Sequence, residues 1–262
     1  MPTGTELRHN QEATALLEKA ASSKGLNIAV LLPTFNTMCS STAVDLAAMM
    51  GFLGAGPVAL GHLDRVSISM DIDTYVQCAR QTLVEAAIAD GADYMLWLDS
   101  DMRFPQDILL KLLNHDKDVV GINYSTRSIP PDFVTIKKMG KDNPNNPSGE
   151  PCITGSDSTG LEKVDAIGFG AVLIRTGALK KLPDPHKHPW FWIEHMPKTN
   201  RVIGEDVYFC RLMRKHGIDI WVDHDVSKEC AHIGTFEFRY EHAAAYRADM
   251  QDMMEVLSNG GD

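Results

Sequence analysis

Tyr94-Met-Leu-Trp-Leu-Asp99-Ser-Asp101-Met102 is an apolar run that stops at two carboxylates spaced i, i+2, with Phe104-Pro105 close behind. An unbroken apolar run of strand length is the pattern of a strand buried on both faces of a parallel sheet. Acids at its carboxyl end fall where open α/β sheets bind ligands. Two hard oxygen donors one residue apart suit a divalent cation such as Mg²⁺ or Mn²⁺ and, through it, a diphosphate, because the cation offsets charges that would otherwise repel. The same residues also read as a strand followed by an acidic turn, since Asp is common where strands become loops. Spacing alone leaves both readings open.

Working outward toward the N-terminus, Asn27-Ile-Ala-Val-Leu-Leu32 is a second such run, and it ends at Pro33-Thr34, where a first ligand loop is expected. Between the two runs, the pattern predicts a helix over Thr42 to Phe52 capped by Ser41 or Thr42, and a second strand opening at Pro57-Val-Ala-Leu60. A helix over Asp73 to Asp90 follows, with Tyr75, Val76, Ala79, Leu83, Ala86, Ala87 and Ile88 on its apolar side and Gly91 ending it. Glu6 to Ser23 has helical composition and is expected to lie outside the sheet. Toward the C-terminus, Pro105 starts a helix lined by Ile108, Leu109, Leu112 and Leu113, and Asp118-Val-Val-Gly121 is a short strand. Strands alternating with helices predict an α/β fold with a mostly parallel central sheet.

After Asn123 the texture changes. Met139 to Gly160 has few anchoring apolar groups and reads as a mobile loop or lid. Strand signals at Val164 to Ile167 and Ala171 to Ile174 flank Gly168-Phe169-Gly170, where glycines admit either a ligand or a bulge. Pro189-Trp190-Phe191-Trp192 is either a core cluster or a stacking platform for an acceptor. Gly204-Glu205-Asp206 opens a helix, and the helix dipole alone can account for two acids in its first turn. Ile218 to Val222 is a further strand, His232 follows it, and Phe238 to Leu257 is a C-terminal helix. The expected organisation is one domain over 1–262. Residues 26–123 would form a donor half and 124–235 an acceptor and catalytic half, with 236–262 as the terminal helix.

A chain of 262 residues that is 44% apolar can build a full-sized core. We find no apolar run near 18 residues and no leader pattern, so the expectation is a soluble, cytoplasmic protein without a membrane partner. Five scattered cysteines without a CxxC pair indicate neither a disulfide framework nor a zinc cage, and mostly buried, reduced thiols are expected. Twenty-five basic against 35 acidic residues give −10, which disfavours non-specific polyanion binding. Local basic groups exist at Arg127, Lys137, Lys138 and Lys141, and at Arg211, Arg214 and Lys215. They also read as a solvated face.

Taken in order, Asp99-x-Asp101, Gly168-Phe-Gly170, Glu205-Asp206 and His232 resemble the GT-A nucleotide-sugar glycosyltransferases, particularly the family 2-like branch. The resemblance runs from about Ile28 to Gly234 and implies a GT-A, Rossmann-like sheet flanked by helices with a C-terminal acceptor-side extension. It implies Asp99, Asp101 and His232 as ligands of Mn²⁺ or Mg²⁺. Pro33, Thr34, Arg80, Asp99, Gly168 and Gly170 would face a nucleotide-sugar donor, a UDP-sugar first, with Asp206 as general base and Glu205 supporting it. Ala79-Arg80-Gln81 is similar to the family's Ala-Arg-Asn, and Gln81 in place of Asn leaves the donor open. Met95 to Met102, Gly204 to Cys210 and Val222 to Gly234 look like compact bacteriophage-encoded members, including the TET-associated DNA glycosyltransferases. That likeness implies a 5-hydroxymethylpyrimidine of DNA as acceptor, with Trp190 or Trp192 stacking on it, ahead of a saccharide or small molecule. A nucleotidyltransferase would want a glycine-rich basic loop after the first strand, which Pro33-Thr-Phe-Asn-Thr37 does not offer. A non-catalytic sugar- or nucleotide-binding module stays open, as does oligomeric state.

Overall fold

The computed structural model describes residues 25–72, 75–128, 130–140, 149–197 and 200–235. In chain order the first half comprises β1 (Leu26–Thr34), α1 (Ser40–Leu53), a π-helical turn (Gly54–Val58), β2 (Leu63–Ile72), α2 (Val76–Ala89), β3 (Tyr94–Leu98), β4 (Met102–Arg103), α3 (Ile108–Asn114) and β5 (Val119–Ile122). The second comprises β6 (Ile136–Lys138), β7 (Glu150–Pro151), β8 (Leu161–Val164), β9 (Ala171–Arg175), α4 (Thr176–Leu179), β10 (Glu194–Met196), β11 (Arg201–Ile203), α5 (Glu205–Lys215), β12 (Ile220–Asp223), α6 (His224–Ser227) and β13 (Ala231–His232).

A seven-stranded sheet in the order β2-β1-β3-β9-β5-β12-β8 forms the centre. β1 runs parallel to β2 and β3, and β5 runs parallel to β12, whereas β9 opposes β3 and β5, and β8 opposes β12. The sheet is therefore mostly parallel, with two reversed strands. Alternation along β1 and β3 explains their unbroken apolar runs. Ile28, Val30, Leu32, Leu96 and Leu98 face Met49 and Leu53 of α1 and the leucines of α3. Ala29, Leu31, Met95 and Trp97 face Leu83, Val84 and Ala87 of α2 and Phe209 and Met213 of α5. With helices on both faces neither set of side chains can be polar. This is the expected α/β fold, a mostly parallel central sheet covered by helices on both faces. Its parallel β1–β3 pairing, with Leu31 opposite Trp97, brings Pro33-Thr34 and Asp99-Ser-Asp101 out at the same edge.

Several local expectations shift. Pro57 does not open a strand: it sits inside the π-helical turn that prolongs α1, where the wider turn tolerates a residue with no N–H to donate, and β2 begins only at Leu63. Neither Ser41 nor Thr42 caps α1, because the helix starts two residues earlier than expected, at Ser40 after extended Cys39, with no side-chain cap. Ser40–Val58 thereby becomes a 19-residue helix long and apolar enough, by length and composition alone, to cross a membrane, against the expectation of no such run. Here its Met49 and Leu53 pack on the sheet and its Asp45 pairs with Arg103 at 2.5 Å. The strand expected at Val164 to Ile167 lies at Leu161–Val164, since Ala166 instead bridges to Ile136. All five cysteines are free, but only Cys152 and Cys210 are buried. The helices expected at Glu6 to Ser23 and Phe238 to Leu257, and residues 141–148 of the expected lid, lie outside the described residues.

Candidate active site

His232 reaches the carboxylates through a two-residue antiparallel pairing. β13 lies against β4 with His232 opposite Met102, and the Ile233 N–H donates to the Asp101 carbonyl at 2.8 Å. This puts His232 Nε2 3.5 Å from Asp101 Oδ1. His232 Nδ1 lies 2.9 Å from the Ser125 carbonyl, which can only accept, so Nδ1 carries the proton. In the neutral ring Nε2 then keeps its lone pair toward Asp101, the tautomer a metal ligand needs. Asp101, which accepts from Nε2 once the ring is protonated, raises the His232 pKa. Tyr124 packs edge-on against the imidazole at 5.1 Å between ring centres.

Arg80, deep in α2, is the electrostatic centre of the other wall. Its Nη2 donates to Asp99 Oδ1 at 2.9 Å and its Nε to Glu205 Oε1 at 3.2 Å, while the guanidinium lies over the Phe169 ring at 5.0 Å. Burial works against its charge, yet Asp99, Glu205 and Asp206 together raise its pKa. Its Nη1 is buried with no hydrogen-bond partner among the described residues, a donor left for an anionic ligand. Burial pushes the Asp99 carboxyl up, with Arg80 opposing. Asp206 sits in the first turn of α5, where Oδ1 accepts from the Val207 N–H at 2.7 Å. Burial first, then the adjacent Glu205, raises its pKa to about 6, in the range of a general base working near neutrality.

Pro33, Thr34, Arg80, Asp99, Asp101, Glu205, Asp206 and His232 all line one cavity of about 350 Å³, together with Phe35, Val76, Ser100 and Arg127. Arg127, read from sequence only as part of a basic patch, donates to Asp101 Oδ2 at 2.6 Å from a half-exposed position. Burial tends to raise the Asp101 pKa, but His232 and Arg127 outweigh it and hold the carboxyl below its ordinary value. A guanidinium on one oxygen of Asp101 and an imidazole lone pair beside the other describe a cation-seeking site. The mixed oxygen and nitrogen donors of Asp101 and His232 fit Mn²⁺ better than Mg²⁺, which takes oxygen ligands. Asp99 gives one oxygen, Oδ1, to Arg80 as Asp101 gives Oδ2 to Arg127, so each carboxylate keeps one oxygen off the arginines.

Other expected residues fall elsewhere. Gly168 and Gly170 do not line the cavity, and they make room for a side chain of this protein. A Cβ on Gly168 would meet the Tyr124 hydroxyl at 2.6 Å and one on Gly170 the Tyr124 ring at 2.7 Å. The Gly170 N–H donates to Tyr124 Oη at 3.1 Å, and its carbonyl accepts from the Asp99 N–H at 3.1 Å. The glycine loop thus seats Tyr124 beneath His232. Trp190 is 4% exposed, stacks on Phe209 and donates its Nε1–H to the Pro183 carbonyl, so it is core and offers no platform. Trp192 is exposed but does not line the cavity. Tyr124 and Arg127 were the missed residues; one aromatic after a strand and one arginine in a polar loop carry no local signal.

No family model matches the chain, and no curated protein matches it by sequence. Among solved structures it is similar to A197 from STIV, with 14% identity over 82% of this chain and 97% of that one at a TM-score of 0.47. It is also similar to GalNAc-T7 in complex with UDP, GalNAc and Mn²⁺, with 10% identity over 82% of this chain and 45% of that one at a TM-score of 0.46.

Proposed function

We propose that this protein is a metal-dependent glycosyltransferase that moves a sugar from a nucleotide-sugar, a UDP-sugar first, to an acceptor hydroxyl with inversion. One observation carries the reading: Asp101 with His232, and half-buried Asp206 with its raised pKa, line the same cavity although they come from separate segments. Asp101 and His232 would hold the cation, which when bound offsets charge on the departing nucleoside diphosphate. Arg80, with its unpartnered Nη1, and Pro33-Thr34 at the end of β1 face the donor. Arg127, which lines the cavity and donates to Asp101 Oδ2, would add positive charge for the diphosphate. Asp206 takes the acceptor proton as the oxygen attacks the anomeric carbon from the far face, and Glu205 keeps Arg80 in place. In this reading residues 26–123 form the donor half and 124–235 the acceptor and catalytic half, from which Arg127 and His232 also reach the donor's side of the cavity.

For the acceptor, a 5-hydroxymethylpyrimidine in DNA stands first on the sequence resemblance, but ion pairing favours a saccharide as a serious second. Arg211 pairs with Glu194 at 3.0 Å, Arg214 with Asp165 at 2.7 Å and Lys137 with Glu162 at 2.8 Å, which leaves little of that basic charge for phosphates. Buried Trp190 also removes one stacking candidate. Transfer from radiolabelled UDP-sugars with Mn²⁺ to hydroxymethylated DNA, unmodified DNA and simple glycans separates them. Label on hydroxymethylated DNA alone supports the first, label on glycans alone the second, and label on none ends both acceptor readings.

A further inference from the structure

A second group of ligand-capable side chains lies apart from the cavity, beyond β5, β8 and β12. We propose that Cys152, Glu162 and His224 form a separate metal site that takes a thiophilic ion of the Zn²⁺ class in preference to Mg²⁺ or Mn²⁺. Their Sγ, carboxylate oxygen and ring nitrogen all lie within 4.8 Å of one another. His224 Nε2 is 3.0 Å and Cys152 Sγ 3.6 Å from the same Glu162 Oε2. A tetrahedral zinc ion with bonds of about 2.0–2.3 Å spaces its ligand atoms about 3.3–3.6 Å apart, so these two edges already stand close to the required separation.

The surroundings hold the ligands as a metal site needs. His224 Nδ1 lies 2.9 Å from Thr154 Oγ1, which also accepts from Asn123 Nδ2 at 3.0 Å. That hydroxyl has a second lone pair for an Nδ1–H, which leaves Nε2 as the inward ligand. Buried Asn123 also donates to the Cys152 carbonyl at 2.8 Å and fixes the cysteine's backbone. Cys152 is fully buried and His224 is 4% exposed, whereas the Glu162 side chain is 28% exposed and marks the entry and an open fourth position. Lys137 on Glu162 Oε1 at 2.8 Å leaves Oε2 to the cluster. Without an ion the thiol is protonated, pushed up to about 12 by burial and Glu162, so binding releases a proton to solvent as the thiolate–metal bond forms. Sulfur in the donor set sets the preference, because thiolate favours zinc-like ions and the hard cations favour all-oxygen sites. Such an ion would tie the Cys152 segment to the β12–α6 corner. The three ligands are too far apart in sequence to form a zinc signature, which explains why spacing gave no hint of them.

The test titrates the full chain, freed of metal by chelation, with Co²⁺ as the visible probe for Zn²⁺. One equivalent should give a thiolate-to-cobalt charge-transfer band that Zn²⁺ abolishes and excess Mn²⁺ leaves intact. The band should vanish in Cys152→Ser and His224→Gln and persist in Asp101→Ala, which separates this site from the proposed glycosyl-transfer site. Because Cys152→Ser changes a core position, its fold is checked by circular dichroism, and Glu162→Gln at the half-exposed ligand serves where the serine variant does not fold. That glutamine variant should weaken Co²⁺ binding at least about tenfold. No band at stoichiometric Co²⁺, a band that survives in folded Cys152→Ser, or unchanged affinity in Glu162→Gln overturns the site.

Discussion

The two clusters at the carboxyl-terminal side of the sheet handle charge in opposite ways. Around the cavity, Asp99, Asp101, Glu205 and Asp206 converge, and Arg80 and Arg127 supply the positive charge that lets them do so. Around His224 a single carboxylate, Glu162, meets a neutral thiol and an imidazole, with one lysine on its outer oxygen. The first arrangement is hard and anionic and lines a cavity of about 350 Å³, while the second is compact and sulfur-bearing. The same strand ends can thus present two chemistries, and donor type rather than position in the fold decides which cation each prefers.

The contrast breaks first at Asp206. Asp206→Asn should lower kcat about 10²- to 10⁴-fold, the usual contribution of a positioned base, while donor affinity measured calorimetrically with Mn²⁺ stays within a few-fold. Equal loss of donor binding would make Asp206 a binding residue. Arg80 comes next. Arg80→Met leaves Asp99 and Glu205 facing each other without their shared cation, and unfolding in denaturant should show a loss of about 3–5 kcal/mol. An unchanged midpoint would show that the carboxylates are already solvated.

The pH dependence sharpens the comparison further. Asp206 acts as a base only when ionised and its pKa is raised to about 6, so kcat/KM should fall tenfold per unit below pH 6 and level off above it. Stability moves the other way. The native state holds that proton more tightly than the unfolded chain, so this contribution is full below the ordinary 3.8 and is lost as pH rises through about 6. Opposed slopes of rate and stability across that window are the signature to look for. The smallest effect belongs to Tyr124→Phe, which strands the buried Gly170 N–H and should cost about 1–3 kcal/mol in thermal or denaturant unfolding, while the ring contact to His232, and with it Mn²⁺ binding, is kept.

Much of the donor side was legible from sequence, because β1 and β3 are buried on both faces and therefore write themselves as apolar runs ending at Pro33-Thr34 and Asp99-Ser-Asp101. Arg80 was legible only through a resemblance, since nothing in its helix announces a buried cation. The other half was less readable because long-range contacts build it. Two-residue strands such as β4 and β13 have no periodicity to detect, yet their pairing is what carries His232 to Asp101. Gly168 and Gly170 were seen, but glycine marks a close approach without saying to what, and here the neighbour is Tyr124. Trp190 failed as an acceptor platform for a related reason, as an aromatic cluster looks the same in sequence whether it faces water or Phe209.

The central claim is that a cation held by Asp101 and His232 drives cleavage of a nucleotide-sugar in this cavity. Release of nucleoside diphosphate from a panel of nucleotide-sugars, with and without Mn²⁺, in wild type and Asp101→Ala, addresses it most directly. The account predicts release that requires Mn²⁺ and disappears in Asp101→Ala; no release from any donor, or equal release by the variant, would contradict it.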